Sequence, residues 1–151
     1  MTYEDLLIEA DSNHLVTKEK KLPASKGRIK GNRIAIRSNM ETKEKKCVLA
    51  EELGHYYTTV GDIMDQSKPE NQKQEYRARV HSYNKLIGLY GIINCYKQGC
   101  TDLYDMAEHL DVTEAFLLET LNCYKSKYGT HTRIDNYILY FEPYLSILEL
   151  K

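Results

Sequence analysis

Residues 50–55 read AEELGH, and this short stretch decides which fold the chain is expected to adopt. On an α-helix, side chains four positions apart lie about 40° apart around the axis, so Glu51 and His55 can face one point. The spacing is a variant of H-E-x-x-H, in which two ligands hold zinc and the glutamate between them takes a proton from the attacking water. Glu52 stands in that intervening position. The alternative is an ordinary helix with its charges in solvent, because E-E-x-x-H also arises by chance.

A glycine inside the same predicted helix favours the first interpretation. Gly54 costs a helix about 1 kcal/mol relative to alanine, so its presence needs a reason such as the close approach of another segment. A packed metal site would supply that reason. A catalytic zinc site uses three protein ligands, however, so a third ligand has to come from elsewhere in the chain.

The composition indicates a globular protein with no overall charge bias. The chain has 151 residues, 21 basic and 22 acidic side chains and a net charge of −1, which suits one domain and disfavours general nucleic-acid binding. Residues 1–10 are acidic rather than basic, and no apolar run is long enough to span a bilayer. We therefore expect no signal peptide and no membrane contact, and we predict a cytoplasmic protein. The four cysteines form no C-x-x-C pair, which argues against a cysteine-based zinc site.

Hydrophobic spacing predicts an α+β protein, mostly helical, with a small antiparallel sheet. One hairpin is expected in residues 27–37, where apolar and charged residues alternate. Residues 132–143 are expected to form a second hairpin or an added strand. Residues 60–72 are expected to form a loop, and residues 1–151 a single domain. Helices are expected over residues 3–10, 42–57, 73–96 with a break near Gly88 and Gly91, 102–110 and 113–128.

Two longer segments extend the pattern beyond the local motif. They read CVLAEELGHYYTTVGD, at residues 47–62, and KQEYRARVHSYNKL, at residues 73–86. Both resemble the ImmA/IrrE family of metallo-endopeptidases, particularly its short members from bacteriophages and integrative elements. That family usually has H-E-L-G-H on one helix and, on the next, a glutamate followed at +3 by alanine and at +7 by a small residue. Glu75, Ala78 and Ser82 stand at those offsets.

The resemblance covers nearly the whole chain. GNRIAIR, at residues 31–37, and the helical tail at residues 104–129 also look like the short phage members. The family resemblance implies a zincin-like metal helix, followed by a C-terminal pair of helices. It also implies a peptidase domain that occupies the chain as a whole.

The resemblance implies His55 and Glu75 as metal ligands and Glu52 as the general base. Glu51 as the remaining ligand is our own inference, since family members normally have histidine at that position. Carboxylate oxygen binds zinc at about 2.0 to 2.2 Å, much as imidazole nitrogen does, so Glu51 is suited to the role. A second departure, His81 in place of an aromatic residue, falls at a neighbouring packing position.

Charge is where the glutamate at position 51 should matter. Two carboxylates and a neutral imidazole cancel the +2 of the ion, whereas two histidines and one glutamate leave it positive. The attacking water is then less acidified, which predicts a slower hydrolase at neutral pH. Oxygen-rich ligation also shifts the preference towards Mn²⁺ or another divalent ion, although Zn²⁺ remains the expected cofactor.

Other residues near the motif have simpler structural explanations. Without the family, Glu75 would be a solvated helix acid among basic neighbours. Asp62 and the Thr58-Thr59 pair could orient His55, but turn capping explains them more simply. Tyr56 or Tyr57 could donate a hydrogen bond to an oxyanion. Four other histidines could replace a ligand, although a lone histidine is more often structural. They are His14, His81, His109 and His131, and His14 is the first candidate among them.

Residues 102–121 have the helix, short turn and second helix of a helix-turn-helix. A recognition helix should present basic or amide side chains to DNA, yet Glu114 and Glu119 stand among apolar residues there and would repel phosphate. We therefore expect these helices to pack or to bind a partner, with no direct contact to nucleic acid. In the family, the protein partner is typically a helix-turn-helix repressor.

These observations lead to two functions of different classes. The first is a metal-dependent endopeptidase that cleaves a repressor of a phage or mobile-element lysogeny switch, with Glu52 as the base. The second is a non-catalytic relative that binds the repressor stoichiometrically as an antirepressor, the change at Glu51 having removed metal or activity. A third hypothesis, direct binding of operator DNA, predicts a steep salt dependence of DNA affinity.

Overall fold

The structure, a computed structural model, describes residues 1–58 and 69–151 and divides into two compact units, Met1–Leu86 and Ile87–Lys151. Each unit combines helices with a three-stranded sheet, so the predicted α+β class, mostly helical, is confirmed. The prediction of one domain over residues 1–151 stays a prediction. Within the described residues, no helix combines the length and the apolar content that crossing a bilayer requires.

The first unit opens with a capped helix. α1 spans Tyr3–Ser12, and the hydroxyl of Thr2 accepts a hydrogen bond from the amide of Asp5 at 3.1 Å. The carboxylate of Asp5 in turn accepts from the amide of Thr2 at 2.8 Å. These reciprocal bonds satisfy amides that the first turn of a helix leaves without partners, which explains why the helix begins there.

The sheet of the first unit is mixed. Its strands are β1 (Val16–Lys20), β2 (Gly27–Lys30) and β3 (Arg33–Arg37). β2 and β3 pair antiparallel around Gly31, whose φ is +59°, which confirms the predicted hairpin. β1 pairs parallel with the other side of β3, so the expectation of a purely antiparallel sheet was incomplete for this unit. The sequence VTKEK gave no strand signal because its side chains do not alternate between apolar and polar.

Two long helices complete the first unit, α2 (Thr42–Thr58) and α3 (Pro69–Leu86). α2 agrees with the prediction to within one residue. α3 begins at Pro69, so the prediction of a loop was wrong for residues 69–72. Proline suits the first turn of a helix, where its missing amide hydrogen would have no helical partner. The remainder of the predicted loop, residues 60–68, lies outside the described residues.

The second unit holds three helices and an antiparallel sheet. The predicted long helix breaks near Gly88, whose φ is +67°, while Gly91 lies inside the following helix. Thr113 caps the last helix as predicted, its hydroxyl accepting from the amide of Phe116 at 3.1 Å. The first two strands form the predicted second hairpin. In chain order the elements are α4 (Gly88–Lys97), α5 (Leu103–Leu110), α6 (Glu114–Tyr128), β4 (His131–Ile134), β5 (Tyr137–Tyr140) and β6 (Ser146–Glu149).

Candidate metal centre

Small residues allow α2 and α3 to come very close. Gly54 of α2 is buried, and a Cβ atom added to it would overlap the backbone oxygen of Ala78 and lie 3.0 Å from its carbonyl carbon. Ala78 itself is 0% exposed. The close approach of another segment that Gly54 predicted is therefore confirmed, and that segment is the backbone of α3.

Three ionisable side chains meet across this helix contact. Glu51 and His55 come from α2, one turn apart, and Glu75 comes from α3. One potential ligand atom of each lies within 4.8 Å of the others, and the distance from His55 Nε2 to Glu75 Oε1 is 3.2 Å. The structure thus brings together the three residues that were predicted to bind metal. Their role as ligands stays a prediction.

The pKa values of these groups respond to their proximity. The hydrogen bond from His55 lowers the pKa of Glu75, and Arg79, 3.9 Å from the carboxylate, acts in the same direction. Burial disfavours the charged form of His55, but the bond to Glu75 and the surrounding carboxylates outweigh it and raise the pKa of the imidazole. Glu51 and Glu75 also share a hydrogen bond. Two carboxylates in contact need a proton or a cation between them.

Glu52 lies beside this group, where α2 faces the first sheet. Its side chain is 8% exposed. Burial raises the pKa of Glu52 to about 7, Glu51 and Glu75 contribute to the rise, and His55 opposes it. A carboxylate whose pKa is near neutrality can both accept and return a proton at that pH.

Gly27, the first residue of β2, is part of this environment, and the sequence analysis missed it. A Cβ atom at this position would overlap Val48 and would lie 3.1 Å from Oε1 of Glu52. Glycine therefore lets the backbone of β2 reach the carboxylate. The available signal was a glycine at the start of a strand, which often marks a close backbone approach.

A comparison with known protein families identifies the family of the chain. The model of a peptidase family described as the IrrE N-terminal-like domain matches residues 6–122. The chain belongs to this family. The matched residues include α2 and α3 with the whole of the group just described, so the predicted resemblance is confirmed. A comparison with curated protein sequences finds no match.

IrrE-like membership suggests a metal-dependent peptidase and implies a divalent metal, typically zinc, and the donor set fits such an ion. Two carboxylates and one imidazole, presented by two helices, match in kind and number the three protein ligands that a catalytic zinc site uses. An ion held by Glu51, His55 and Glu75 would supply Lewis acidity and would lower the pKa of the attacking water. His55 must be neutral to act as a ligand, so ion binding competes with its protonation.

The other candidate ligands are not members of this group. Across residues 1–58 and 69–151, the group of Glu51, His55 and Glu75 is the cluster of three such residues close enough to hold one ion. The ring of His81 lies against Tyr57, with 5.1 Å between centroids, and its buried Nδ1 has no hydrogen-bond partner among the described residues. The remaining histidines outside the group are His14, His109 and His131.

The hydroxyl groups near the end of α2 have structural partners. The Tyr57 hydroxyl donates to Glu9 of α1 at 2.7 Å and accepts from Asn13 at 3.0 Å. Lys85 of α3 donates to the same Glu9 carboxylate at 2.6 Å. Thr58 donates to the carbonyl oxygen of Gly54 at 2.7 Å, inside its own helix. Thr59 and Asp62 lie outside the described residues.

Glu52 makes the stability of the ion-free protein depend on pH. Its pKa is about 7 when folded against 4.5 in the unfolded chain, so the folded state binds more protons and the free energy of unfolding falls as pH rises between these values. Between pH 5 and pH 8 we expect the free energy of unfolding of Glu52→Gln to rise by up to about 3 kcal/mol relative to that of the wild type. Chemical denaturation with a chelator present measures this difference. Parallel pH profiles of the two proteins would contradict it.

Proposed function

We propose that the protein is a metal-dependent endopeptidase in which Glu51, His55 and Glu75 hold a divalent ion and Glu52 is the general base. The observation that carries this proposal is the convergence of three ligand-type side chains from two helices beside a buried carboxylate. Family membership supports peptidase chemistry. Zn²⁺ is the proposed cofactor, with Mn²⁺ as the alternative because two of the three donors are carboxylates.

The chain's own groups account for proton transfer and for substrate placement. Glu52 accepts a proton from the attacking water and passes it to the departing amine. β2 lies at the edge of its sheet within the described residues, and Gly27 brings its backbone against Glu52. An extended substrate segment that paired with β2 would therefore run beside the base, since edge strands accept an added strand.

The proposed substrate is a helix-turn-helix repressor that maintains lysogeny of a phage or mobile element, and the proposed location is the cytoplasm. The support is the resemblance of residues 31–37 and 104–129 to short members of the family from phages. Cleavage of the repressor would release its operator and induce the element. α5 and α6 form the predicted helix pair and are candidates for the contact with the partner.

Stoichiometric binding of the repressor, without cleavage, is the second candidate function. The glutamate at position 51 favours it, since a neutralised site would be a weak catalyst. An antirepressor should remove the repressor from its operator when the two proteins are equimolar, even when a chelator is present. A peptidase should act below equimolar concentration, and the chelator should stop it.

Ion binding is the first property to measure. Calorimetric titration of chelator-treated protein with Zn²⁺ or Mn²⁺ should show one ion per chain, with affinity decreasing at acidic pH because protonation of His55 competes. Glu75→Gln should weaken binding by more than about tenfold, since even outer partners of a ligand contribute that much. Glu114→Gln, an exposed acid outside the group, is the matched control. Equal affinity of Glu75→Gln and the control would exclude this site.

Glu51→His tests the cost of the carboxylate. Histidine at this position would leave the site one positive charge richer, which should acidify the attacking water and raise kcat/KM at pH 7 by about tenfold, the effect of one pKa unit. Glu51→Gln should lower ion affinity instead, because the amide carries no charge. A rate and pH profile unchanged by histidine would show that Glu51 does not contact the ion.

A further inference from the structure

The net charge of −1 conceals an uneven distribution of charge along the chain. Residues 16–37, which contain β1, β2 and β3, carry eight basic side chains and one acidic side chain, Glu19. The remainder of the chain therefore has an excess of acidic residues. The first sheet is thus a strongly basic element in a protein that is nearly neutral as a whole.

The register of the strands places six of the eight cations on one face. β3 is the central strand, and its Arg33, Ala35 and Arg37 project to the same side because alternate residues share a side. Their partners in the neighbouring strands project to that side as well, since directly opposed residues do. The basic face defined in this way consists of Lys18, Lys20, Arg28, Lys30, Arg33 and Arg37.

The opposite face of the sheet is turned inwards. Ile34 and Ile36 lie on it and are 2% and 0% exposed. Glu19 also points to this side, where it accepts a hydrogen bond from the Tyr3 hydroxyl at 3.2 Å and pairs with Lys45 of α2. The one carboxylate in residues 16–37 is therefore engaged with the helices and does not neutralise the basic face.

The basic face has no internal counter-charge in the part of the chain that the structure describes. None of its six cations forms an ion pair there with a carboxylate. Five are exposed, and the half-buried Arg37 donates from Nε to the backbone oxygen of Leu22 at 3.0 Å. Like charges gathered in this way repel one another, and an anionic ligand would relieve that repulsion.

The spacing and composition of the basic face indicate which anion it would bind. Alternate residues along a strand are about 6.7 Å apart and neighbouring strands about 4.8 Å apart, so the cations form a regular grid. Apart from the cations, this face presents Val16 and Ala35, and it offers no aromatic side chain. Protein interfaces rely on aromatic anchors and are depleted in lysine, and single-stranded nucleic acid is bound by stacking its bases on aromatic rings. Contacts to the phosphates of a duplex need only lysine and arginine.

We propose that the basic face binds the phosphate backbone of duplex nucleic acid without sequence preference. The expectation of no contact with nucleic acid rested on the average charge of the chain and on the acidic residues of α5 and α6. It did not consider a charged face assembled from three strands. The binding surface belongs to the first unit, whereas the predicted helix-turn-helix belongs to the second.

The basic face and the candidate metal centre share a strand. Arg28 and Lys30 project outwards from β2, while Gly27 at the start of the same strand lies against Glu52. Binding of the phosphate backbone would hold the first unit close to proteins that occupy the same duplex. This consequence rests on the proposed peptidase function, whereas the binding itself does not.

Fluorescence anisotropy with a labelled DNA duplex of arbitrary sequence tests the proposal on the full chain. We expect a logarithmic plot of affinity against salt concentration to fall with a slope of about −0.9 per phosphate contacted, hence about −4 if four cations engage. The double variant Lys18→Gln, Arg33→Gln should bind at least tenfold more weakly and with a slope reduced by about 2. The control Lys97→Gln, Lys127→Gln removes equal charge from the second unit and should bind like the wild type.

Several outcomes would overturn the proposal. The first is an affinity for the duplex that does not change with salt, and the second is an equal loss of that affinity in the two double variants. The third is tighter binding to single-stranded DNA or to anionic phosphatidylserine vesicles than to the duplex. The substituted side chains are exposed, and thermal melting verifies that the variants fold. Cleavage of repressor free of DNA should be unaffected by Lys18→Gln, Arg33→Gln, since neither residue belongs to β2, so failure of this proposal is distinguishable from failure of the proposed peptidase function.

Discussion

Glu52→Gln should lower the rate of repressor cleavage by about a hundredfold to ten-thousandfold, the contribution usual for a positioned general base. Glutamine has nearly the same shape but cannot accept the proton of the attacking water. Because Glu52 is not one of the three clustered ligand residues, ion affinity should change little. Single-turnover cleavage followed by gel electrophoresis measures the rate, and Glu149→Gln, which changes an exposed acid of β6, serves as the control.

The same variant separates the two candidate functions. If the protein is an antirepressor, Glu52→Gln releases the operator as well as the wild type does, and it does so with a chelator present. If the variant cleaves at the wild-type rate, then Glu52 is not the base and the proposed mechanism is wrong. Loss of cleavage together with retained ion binding is the result expected of a peptidase.

Gly54→Ala should destabilise the first unit and open the candidate metal centre. The added methyl group would overlap the backbone oxygen of Ala78, which cannot turn away as a flexible side chain could. Alanine favours a helix by about 1 kcal/mol, but forcing two packed backbones apart costs about 1 to 3 kcal/mol or more, so we expect a net loss of stability. Separation of α2 from α3 would also move Glu75 away from His55, and ion affinity should fall with it.

Gly91→Ala is the matched control for this substitution. Gly91 also lies inside a helix, but its nearest neighbours would be side-chain carbons of Ile87 and Leu110 at 3.4 and 3.5 Å from the new Cβ atom, which is close to ordinary contact. This variant should gain up to about 1 kcal/mol from helix propensity. Chemical denaturation compares the two proteins. A Gly54→Ala protein as stable as Gly91→Ala would show that α2 and α3 are not in backbone contact.

Local patterns explain why some elements could be predicted from the sequence and others could not. α2 was located correctly because its buried side chains recur at helical spacing. The start of α3 was missed because the residues Pro69 to Gln72 are typical of turns, and only their position at a helix terminus makes them suitable. β1 was missed because its pairing with β3 is parallel and depends on distant residues.

In the candidate site, too, the features set by local spacing could be predicted and those set by distant contacts could not. The i, i+4 spacing of Glu51 and His55 is local, so the sequence was sufficient to suggest that they act together. Glu75 came from the family resemblance, since no local rule states which face of α3 meets α2. The contact between Gly27 and Glu52 depends on how the sheet packs on the helix. The basic face was equally hidden, because it appears only when the register of three strands is known.

Glu9 of α1 binds both the hydroxyl of Tyr57, near the end of α2, and the ammonium group of Lys85, near the end of α3. Through these two hydrogen bonds α1 connects the two helices that supply Glu51, His55 and Glu75. Any molecule that pulled α1 aside would have to break these bonds, and the spacing between α2 and α3 would then be free to change. Binding of a molecule to α1 would in this way control allosterically whether the three donors can reach one ion.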